Sequence, residues 1–306
     1  MALLTGPDLR TSRCARGACT AFWLLAAAVA AASDSGSAFD HGRLWRISRP
    51  GIADSYVLGT IHIADERVAG IAAPVAKALE RARTVAMELV PGPAVAEAMD
   101  DLETLADGAR LEPLIGSAAY AQLREELLRQ GMGEETIGRM KPWAAMLRIT
   151  RSAPAHGARS LDENLFAAAR AQRVNVWSLE SAEEQAASFD AVPLDTQVAL
   201  LSHTLARRDL PLAASESAIS NWLRGDLGGL ARLPARAGQR FPHLRVHYAR
   251  LVKHIIHDRT VLLHHRLFLP LRSGRVFVAV GATHLQGDLG LLAMLRRDGY
   301  RVTPVW

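Results

Sequence analysis

Two histidines, near opposite ends of the 306-residue chain, follow segments with the pattern of buried strands. His62 ends the run YVLGTIH at residues 56–62, and His284 ends the run FVAVGATH at residues 277–284. In each run, apolar and mostly β-branched residues lead into Gly-x-x-His, which predicts a strand, a sharp glycine turn and an imidazole at the strand's carboxyl end. One such histidine is typical of a hydrogen-bonded structural residue. Two in matching frames indicate a shared catalytic or metal site, because open α/β sheets bind ligands at the carboxyl ends of their strands.

Arg259 lies in the apolar face of a long predicted helix. This helix is predicted to open at Pro242 and to run to about Phe268, before Pro270 ends it. A buried guanidinium loses hydration worth on the order of several kcal/mol unless an acceptor meets it. Arg259 therefore predicts a carboxylate, a cluster of carbonyls or an anionic substrate opposite it. The alternatives are a role in the site and a structural ion pair with Glu88, Asp162 or Glu180.

The opposite face of the same helix carries five histidines: His243, His247, His254, His257 and His264. The first two have the i, i+4 spacing that can bind zinc. The face is otherwise polar and Asp258 is the acidic residue on it, so we interpret it as a solvated, histidine-rich face.

The sequence between these residues predicts the strands and helices of an α/β fold. Residues 44–48 alternate as a strand, and a turn at 50–51 joins them to the first histidine strand. Further strands are predicted at 84–89, 173–180 and 300–305, with Glu88 and Glu180 at or near two carboxyl ends. The chain thus begins and ends with related β-(Gly-x-x-His)-α-β halves. Asp162 is predicted to be the N-cap of one helix, and Ser181 to begin a capping box for the next.

The helical block at residues 93–150 interrupts the two halves. Its spacing predicts helices at 95–105, 117–130 and 133–140, and a further segment opening at Lys141. Inserted helices over an α/β sheet often shape a substrate cleft, so we expect this block to be a cap.

The first 32 residues have the pattern of a secretory signal peptide. Three arginines precede an apolar centre at 21–29, and three alanines follow at 30–32. A Ser/Gly/Asp-rich link at 33–42 is expected to precede a folded domain at 43–306. Periplasmic or secreted localisation follows. The alternative is an uncleaved inner-membrane anchor, the one case in which membrane contact is expected, although the run is shorter than the ~20 residues of a spanning helix.

Composition excludes several function classes. Both cysteines, Cys14 and Cys19, lie in the predicted signal, so the mature protein has no disulfide, thiolate ligand or cysteine nucleophile. Without residues 1–32 the net charge falls from +5 to +3, and the basic residues lack the aromatic interleaving of a nucleic-acid surface. No Gly-rich phosphate loop or Gly-x-Ser-x-Gly motif is present.

Taken together, the motifs resemble the TraB/GumN family. The resemblance covers about residues 43–306 in order, and the supporting sequences are the two Gly-x-x-His strands, AMEL at 86–89, KPW at 141–143, LE at 179–180 with EQ at 184–185, and GATHLQG at 281–287. This family includes the Tiki-like metallopeptidases and belongs to a wider group with the erythromycin-esterase-like and ChaN-like proteins. The resemblance implies a mixed α/β sheet built from two related halves, with the site where the Gly-x-x-His loops meet.

The resemblance also implies roles for individual residues. His62, Glu88 and His284 match the family's metal-site positions, and Arg259 matches an arginine on a late helix. In many relatives an asparagine follows that arginine, whereas this chain has Thr260. Two imidazoles and a carboxylate leave open positions on a divalent ion, and N/O ligands without thiolate suit Mn, Fe, Co or Zn.

The expected function is an exported metal-dependent hydrolase, acting on a peptide or protein substrate. Glu180 or Asp162 is expected to serve as a general base or as an anchor behind the ligands, and Arg259 to stabilise an oxyanion. The alternative is a non-catalytic periplasmic binding protein that sequesters a peptide, haem or metal in the same pocket.

Overall fold

The computed structural model describes residues 38–106, 108–150 and 159–306. Its architecture is α/β, with one six-stranded mixed sheet and helices around it. The strands are β1 (Leu44–Arg49), β2 (Ile52–Thr60), β3 (Thr84–Met87), β4 (Asn175–Ser178), β5 (Val276–Gly281) and β6 (Arg301–Pro304). Within the described part, no helix is both long enough and apolar enough to span a membrane. The predicted signal at 1–32 lies outside the described residues.

The sheet has the order β4-β3-β5-β2-β1-β6. β4, β3, β5 and β2 are mutually parallel, whereas β1 runs antiparallel to both of its neighbours. All six residues of β5 are buried, as expected for a central parallel strand covered on both faces. The two predicted halves interleave, because β5 of the second half lies between β2 and β3 of the first.

Fifteen α-helices lie within the described residues. They are α1 (Glu66–Ala69), α2 (Ala73–Glu80), α3 (Pro93–Leu102), α4 (Glu112–Ile115), α5 (Ser117–Arg129), α6 (Glu134–Gly138), α7 (Pro142–Thr150), α8 (Leu161–Ala171), α9 (Ala182–Asp190), α10 (Leu194–Ala206), α11 (Asp209–Leu223), α12 (Leu227–Arg240), α13 (Arg245–Val252), α14 (Arg259–Ser273) and α15 (Leu291–Arg297).

Two hydrophobic clusters divide the interior. The first surrounds the sheet, and the second joins the helices at 93–150 to α9, α10 and α13. Asp190 of α9 fastens the KPW segment in this second cluster: its carboxylate accepts from Lys141 Nζ at 2.7 Å and from Trp143 Nε1 at 2.7 Å. The predicted helical block therefore has a core of its own beside the sheet.

The long predicted helix at 242–268 differs from its prediction in two ways. It contains a π-helical turn at Lys253–Asp258, which separates α13 from α14. Pro270 does not end it, and α14 continues to Ser273. Pro270 removes one i→i−4 hydrogen bond, that to the carbonyl of residue 266, and only three helical residues follow it. The helix ends instead at Gly274, whose positive φ of 73° is a conformation that favours glycine.

The predicted N-cap of α8 was wrong by two residues. Ser160 caps this helix, in a capping box with Glu163. Asp162 therefore lies in the first turn, where its side chain reaches other elements. The capping box predicted at Ser181 is present at the start of α9.

The packed region begins before the predicted boundary at residue 43. Phe39 is 3% exposed and Asp40 is 9% exposed, and His41 forms an isolated β-bridge with Asp226. The part of the predicted link from residue 39 onward is thus in contact with the domain.

Gly59 serves close packing and not the predicted sharp turn. It lies inside β2, and Gly281 has a φ of −54°, so the Gly-x-x-His motifs need no left-handed glycine at either position. A Cβ on Gly59 would lie 3.1 Å from the Ala282 Cα and 2.8 Å from a methyl of Leu285. The two histidine segments thus approach each other across this glycine.

We expect Gly59→Ala to lower the free energy of unfolding by about 1–3 kcal/mol, because the backbone at Ala282 cannot give way as a flexible side chain does. Denaturant titration followed by circular dichroism measures the change. Gly70→Ala is the matched control, since Gly70 has a φ of −73° and open space around its added Cβ. Equal stabilities of the two variants would contradict the packing role.

Candidate functional site

The carboxyl ends of the four parallel strands supply the candidate site. β2 leads to His62, β5 to His284, β3 to Glu88 and β4 to Glu180. These strands are neighbours in the order β4-β3-β5-β2, so their ends lie side by side. The sequence predicted this common edge, and the structure brings the four side chains together there.

Glu88 is the centre of the cluster. Its carboxylate is buried and lies 3.5 Å from His62 Nε2 through Oε2 and 3.5 Å from His284 Nε2 through Oε1. The Gly281 N–H donates to Oε1 at 2.5 Å, and Arg259 Nη2 donates to Oε2 at 3.1 Å. One carboxylate therefore faces both imidazoles, and a backbone donor and a guanidinium hold it in place.

His62 is oriented by Asp162. The Asp162 Oδ2 atom lies 2.8 Å from His62 Nδ1, and Thr60 Oγ1 donates to Asp162 Oδ1 at 2.9 Å. A carboxylate only accepts, so the proton of this contact is on Nδ1 and the Nε2 atom is directed to Glu88. The His62 side chain is 14% exposed, compared with 6% for Glu88 and 0% for His284, so it is the most accessible of these three side chains.

His284 is oriented by Thr260. The Thr260 Oγ1 atom lies 2.8 Å from His284 Nδ1, and the His284 side chain is fully buried. The two imidazoles are thus held from behind by unlike groups, a carboxylate for His62 and a hydroxyl for His284.

Arg259 and Glu180 form a buried ion pair behind Glu88. Arg259 Nε donates to Glu180 Oε2 at 3.1 Å, Nη2 donates to Glu180 Oε1, and Nη1 donates to the Ile255 carbonyl at 3.3 Å. Glu180 also accepts from Gln185 at 2.8 Å. Because its donors meet Glu180, Glu88 and a carbonyl, the arrangement favours the ion-pair alternative for Arg259 over the oxyanion role. It likewise favours an anchoring role for Glu180 over a general base.

The two histidines have opposite electrostatic settings. Burial lowers the pKa of His62, but the charge and hydrogen bonds of Asp162 and Glu88 outweigh burial and raise it to about 10. Burial lowers the pKa of His284 to about 3, against the attraction of Glu88 and with the help of the positive charge on Arg259. The unlike partners at Nδ1 contribute to this difference, since a carboxylate stabilises an imidazolium and a hydroxyl does so far less.

Glu88 stays ionised in this setting. Burial raises the pKa of Glu88, but the attraction of His284 in its protonated form, the hydrogen bond and charge of His62 and the charge of Arg259 lower it by more, so the pKa lies well below the usual range. His284 is itself neutral near pH 7, so we assign the stabilisation there to His62 and Arg259. The cluster therefore holds a carboxylate, a cationic and a neutral imidazole, and a guanidinium.

A comparison with known families identifies the chain's relatives. A family model described as the TraB/PrgY/gumN family matches residues 43–304. The chain belongs to this family. It is also 27% identical over 255 residues to the uncharacterized protein YbaP of Shigella flexneri, in a match that covers 82% of this chain and 90% of that protein. No solved structure matches the chain significantly. The resemblance stated from the motifs is confirmed.

The donor set of this TraB/PrgY/gumN-family site fits a divalent ion in its chemistry. A tetrahedral ion with bonds of 2.0–2.1 Å sets its ligand atoms about 3.4 Å apart; His62 Nε2 lies 3.5 Å from Glu88 Oε2, and His284 Nε2 lies 3.5 Å from the other oxygen, Oε1. Histidine ligands commonly donate their other N–H to a carboxylate or oxygen, as His62 does to Asp162. Across the described residues, however, no group of three or more His, Cys, Asp or Glu side chains has the geometry to hold a metal ion. The right donors are present, and Glu88 is at the same time bound to Arg259.

A cavity of about 610 Å³ opens beside the carboxyl ends of β3 and β4, between α3 and α9. Val95 and Ala98 form part of an apolar wall, whereas Glu180, Glu183 and Arg266 are polar members of the lining. Glu180 is part of the lining although its side chain is fully buried, and neither histidine lines the cavity. The predicted cap does border a cleft, since α3 is its first helix.

The histidine-rich face of the long helix is separate from the site. Three of its histidines contact polar side chains: His247 with Thr196 at 2.9 Å, His254 with Asp258 at 3.1 Å and His264 with Asp298 at 2.7 Å. These contacts join single histidines to hydroxyl or carboxylate partners, and the described residues show no metal cluster there.

The sequence patterns predicted no contact for the two threonines of the site, Thr60 and Thr260. Thr60 ends β2 and binds Asp162, and Thr260 follows Arg259 and contacts His284. The available signal was position: a threonine two residues before His62, and one next to an arginine on an apolar helix face. A hydroxyl in such a place needs an acceptor, as a buried guanidinium does.

Proposed function

We propose that this protein is an exported metal-dependent hydrolase that cleaves peptide bonds, with His62, Glu88 and His284 as ligands of Mn, Fe, Co or Zn. One observation carries the proposal: both imidazole Nε2 atoms lie 3.5 Å from the oxygens of one buried carboxylate. A divalent ion bound there would polarise a substrate carbonyl and activate water. We also propose that the two interleaved halves have the arrangement of the erythromycin-esterase-like and ChaN-like proteins.

Each residue of the cluster has a task in this proposal. Asp162 orients the His62 ring, and Thr60 orients Asp162. Arg259, which Glu180 holds in turn, keeps Glu88 ionised and fixed, so that its carboxylate stays directed to both imidazoles. His62 is the accessible member, so we expect substrate to reach the site from its side.

The enclosure of the site favours one second candidate. His284 is fully buried and the Glu88 side chain is 6% exposed, which also suits a protein that stores a metal and performs no catalysis. Such a binding protein needs no cleft beside the ion. The partial exposure of His62, 14% of its side chain, supports the hydrolase instead, because it leaves one side of the site open to substrate.

We expect purified protein to contain a divalent metal and to cleave members of a peptide library. A chelator should abolish cleavage, and added Mn²⁺ or Co²⁺ should restore it. Elemental analysis and mass spectrometry of the peptides measure the two properties separately. Metal without cleavage would support the binding protein, and cleavage that is indifferent to the chelator would overturn metal dependence.

A further inference from the structure

The contact between Thr260 and His284 has only one consistent arrangement of protons. Thr260 Oγ1 donates to the Ile256 carbonyl at 2.6 Å and lies 2.8 Å from His284 Nδ1. A hydroxyl has a single proton, and a carbonyl only accepts. Two oxygens only 2.6 Å apart need a proton between them, so the Thr260 proton is on the Ile256 side and its oxygen accepts from His284 Nδ1–H.

This arrangement determines which nitrogen of His284 is basic. A neutral imidazole carries one proton, so a proton on Nδ1 leaves the lone pair on Nε2. The Nε2 atom is the one that faces Glu88, 3.5 Å from Oε1. A cation between these two atoms is attracted by both. The opposite tautomer would place an N–H there and direct the lone pair at Thr260.

The helix places Thr260 where this contact is possible. The Ile256 carbonyl lies in the π-helical turn at Lys253–Asp258, and Thr260 is the second residue of α14. A π turn is wider than an α turn and is often found at functional sites. Here the turn ends directly before Arg259 and Thr260, both of which contact the site.

We propose that Thr260 is a positioning residue that holds His284 in its Nδ1–H tautomer, so that Nε2 presents a lone pair beside Glu88. The proposal rests on the proposed metal site for its purpose, although the tautomer itself exists without metal.

The tautomer is measured directly on the metal-free protein. Long-range ¹H–¹⁵N correlation spectra distinguish protonated from bare ring nitrogens, and the His284 signals are assigned by their absence in His284→Gln. We expect the Nδ1–H form in the unmodified chain and in Thr260→Ser, which keeps the hydroxyl. Thr260→Val removes the hydroxyl at similar volume, and we expect a mixture of tautomers or the Nε2–H form.

A matched control separates this role from helix stability. Thr204 is a buried threonine of α10 whose hydroxyl also donates to a carbonyl four residues earlier, Leu200 O at 2.8 Å, but it contacts no histidine of the site. Thr204→Val therefore loses the same kind of helix hydrogen bond. We expect its His284 spectrum to be unchanged.

Metal affinity provides a second readout. We expect Co²⁺, titrated alone and followed by visible absorption, to bind Thr260→Val about 10–100-fold more weakly than the unmodified chain, as for the loss of other groups that orient a ligand. Thr260→Ser and Thr204→Val should bind it as the unmodified chain does.

The outcomes distinguish the two proposals. An Nε2–H tautomer in the unmodified chain would overturn the role of Thr260 even if no variant folds. The Nδ1–H form in a folded Thr260→Val would overturn it too, because the Ile256 carbonyl, which also hydrogen-bonds the His284 ring, would then suffice. Absence of Co²⁺ binding in the unmodified chain would overturn the metal site, while the tautomer spectra still decide the role of Thr260.

Discussion

Arg259→Met is expected to lower the free energy of unfolding by about 3–5 kcal/mol, because it leaves buried carboxylates without their cation. The Arg259 side chain is 3% exposed and lies between Glu88, 6% exposed, and Glu180, which is fully buried. Methionine fills similar space, so the loss reports on charge and hydrogen bonds more than on a cavity. Urea denaturation followed by circular dichroism measures it.

A surface arginine provides the matched control. Arg67 also contacts two carboxylates, Asp65 and Glu216, but its side chain is 48% exposed. Exposed pairs contribute about 0–1 kcal/mol, so Arg67→Met should change stability by no more than that. Similar losses in both variants would show that burial does not govern the Arg259 pair.

Arg259→Lys separates the structural role from the oxyanion role. Lysine keeps the charge but not the planar fork that reaches both carboxylates. We expect reduced stability because the fork is lost, with hydrolysis per folded molecule retained because the lysine charge still keeps Glu88 ionised. A variant of normal stability that lacks activity would instead indicate that Arg259 stabilises developing negative charge.

The strand ends were predictable because their signals are local. Runs of buried apolar residues mark β2 and β5, and each ends at Gly-x-x-His, so the positions of His62 and His284 follow from the sequence alone. The carboxyl ends of parallel strands lie at one edge of the sheet, so Glu88 after β3 and Glu180 after β4 also lie there. The burial of Arg259 in an apolar helix face was predictable for the same reason.

The hydrogen bonds within the site were not predictable from such patterns. Which carboxylates meet Arg259 depends on the strand order β4-β3-β5, and nothing in the local sequence states that order. The π turn at Lys253–Asp258 depends on packing around the whole helix. Asp162 contacts His62 because Ser160 takes the capping position, a choice between two good caps that lie two residues apart.

The largest effect on function is expected from the imidazoles. His62→Ala and His284→Ala should each weaken metal binding by more than about 100-fold and abolish metal-dependent hydrolysis, since loss of a ligand exceeds the about 10–100-fold cost of losing an orienting group. Metal content after dialysis, together with peptide cleavage, measures both effects.

A histidine outside the site is the control for these variants. His264 contacts Asp298 at 2.7 Å on the other face of α14, so His264→Ala should keep metal and activity. His284 is fully buried and its loss leaves a cavity, so the comparison needs the melting transition of each variant. His62 is partly exposed, and its variant should lose metal with less change in stability. Full activity in a folded His62→Ala would therefore refute the shared site most directly, because unfolding cannot explain that result.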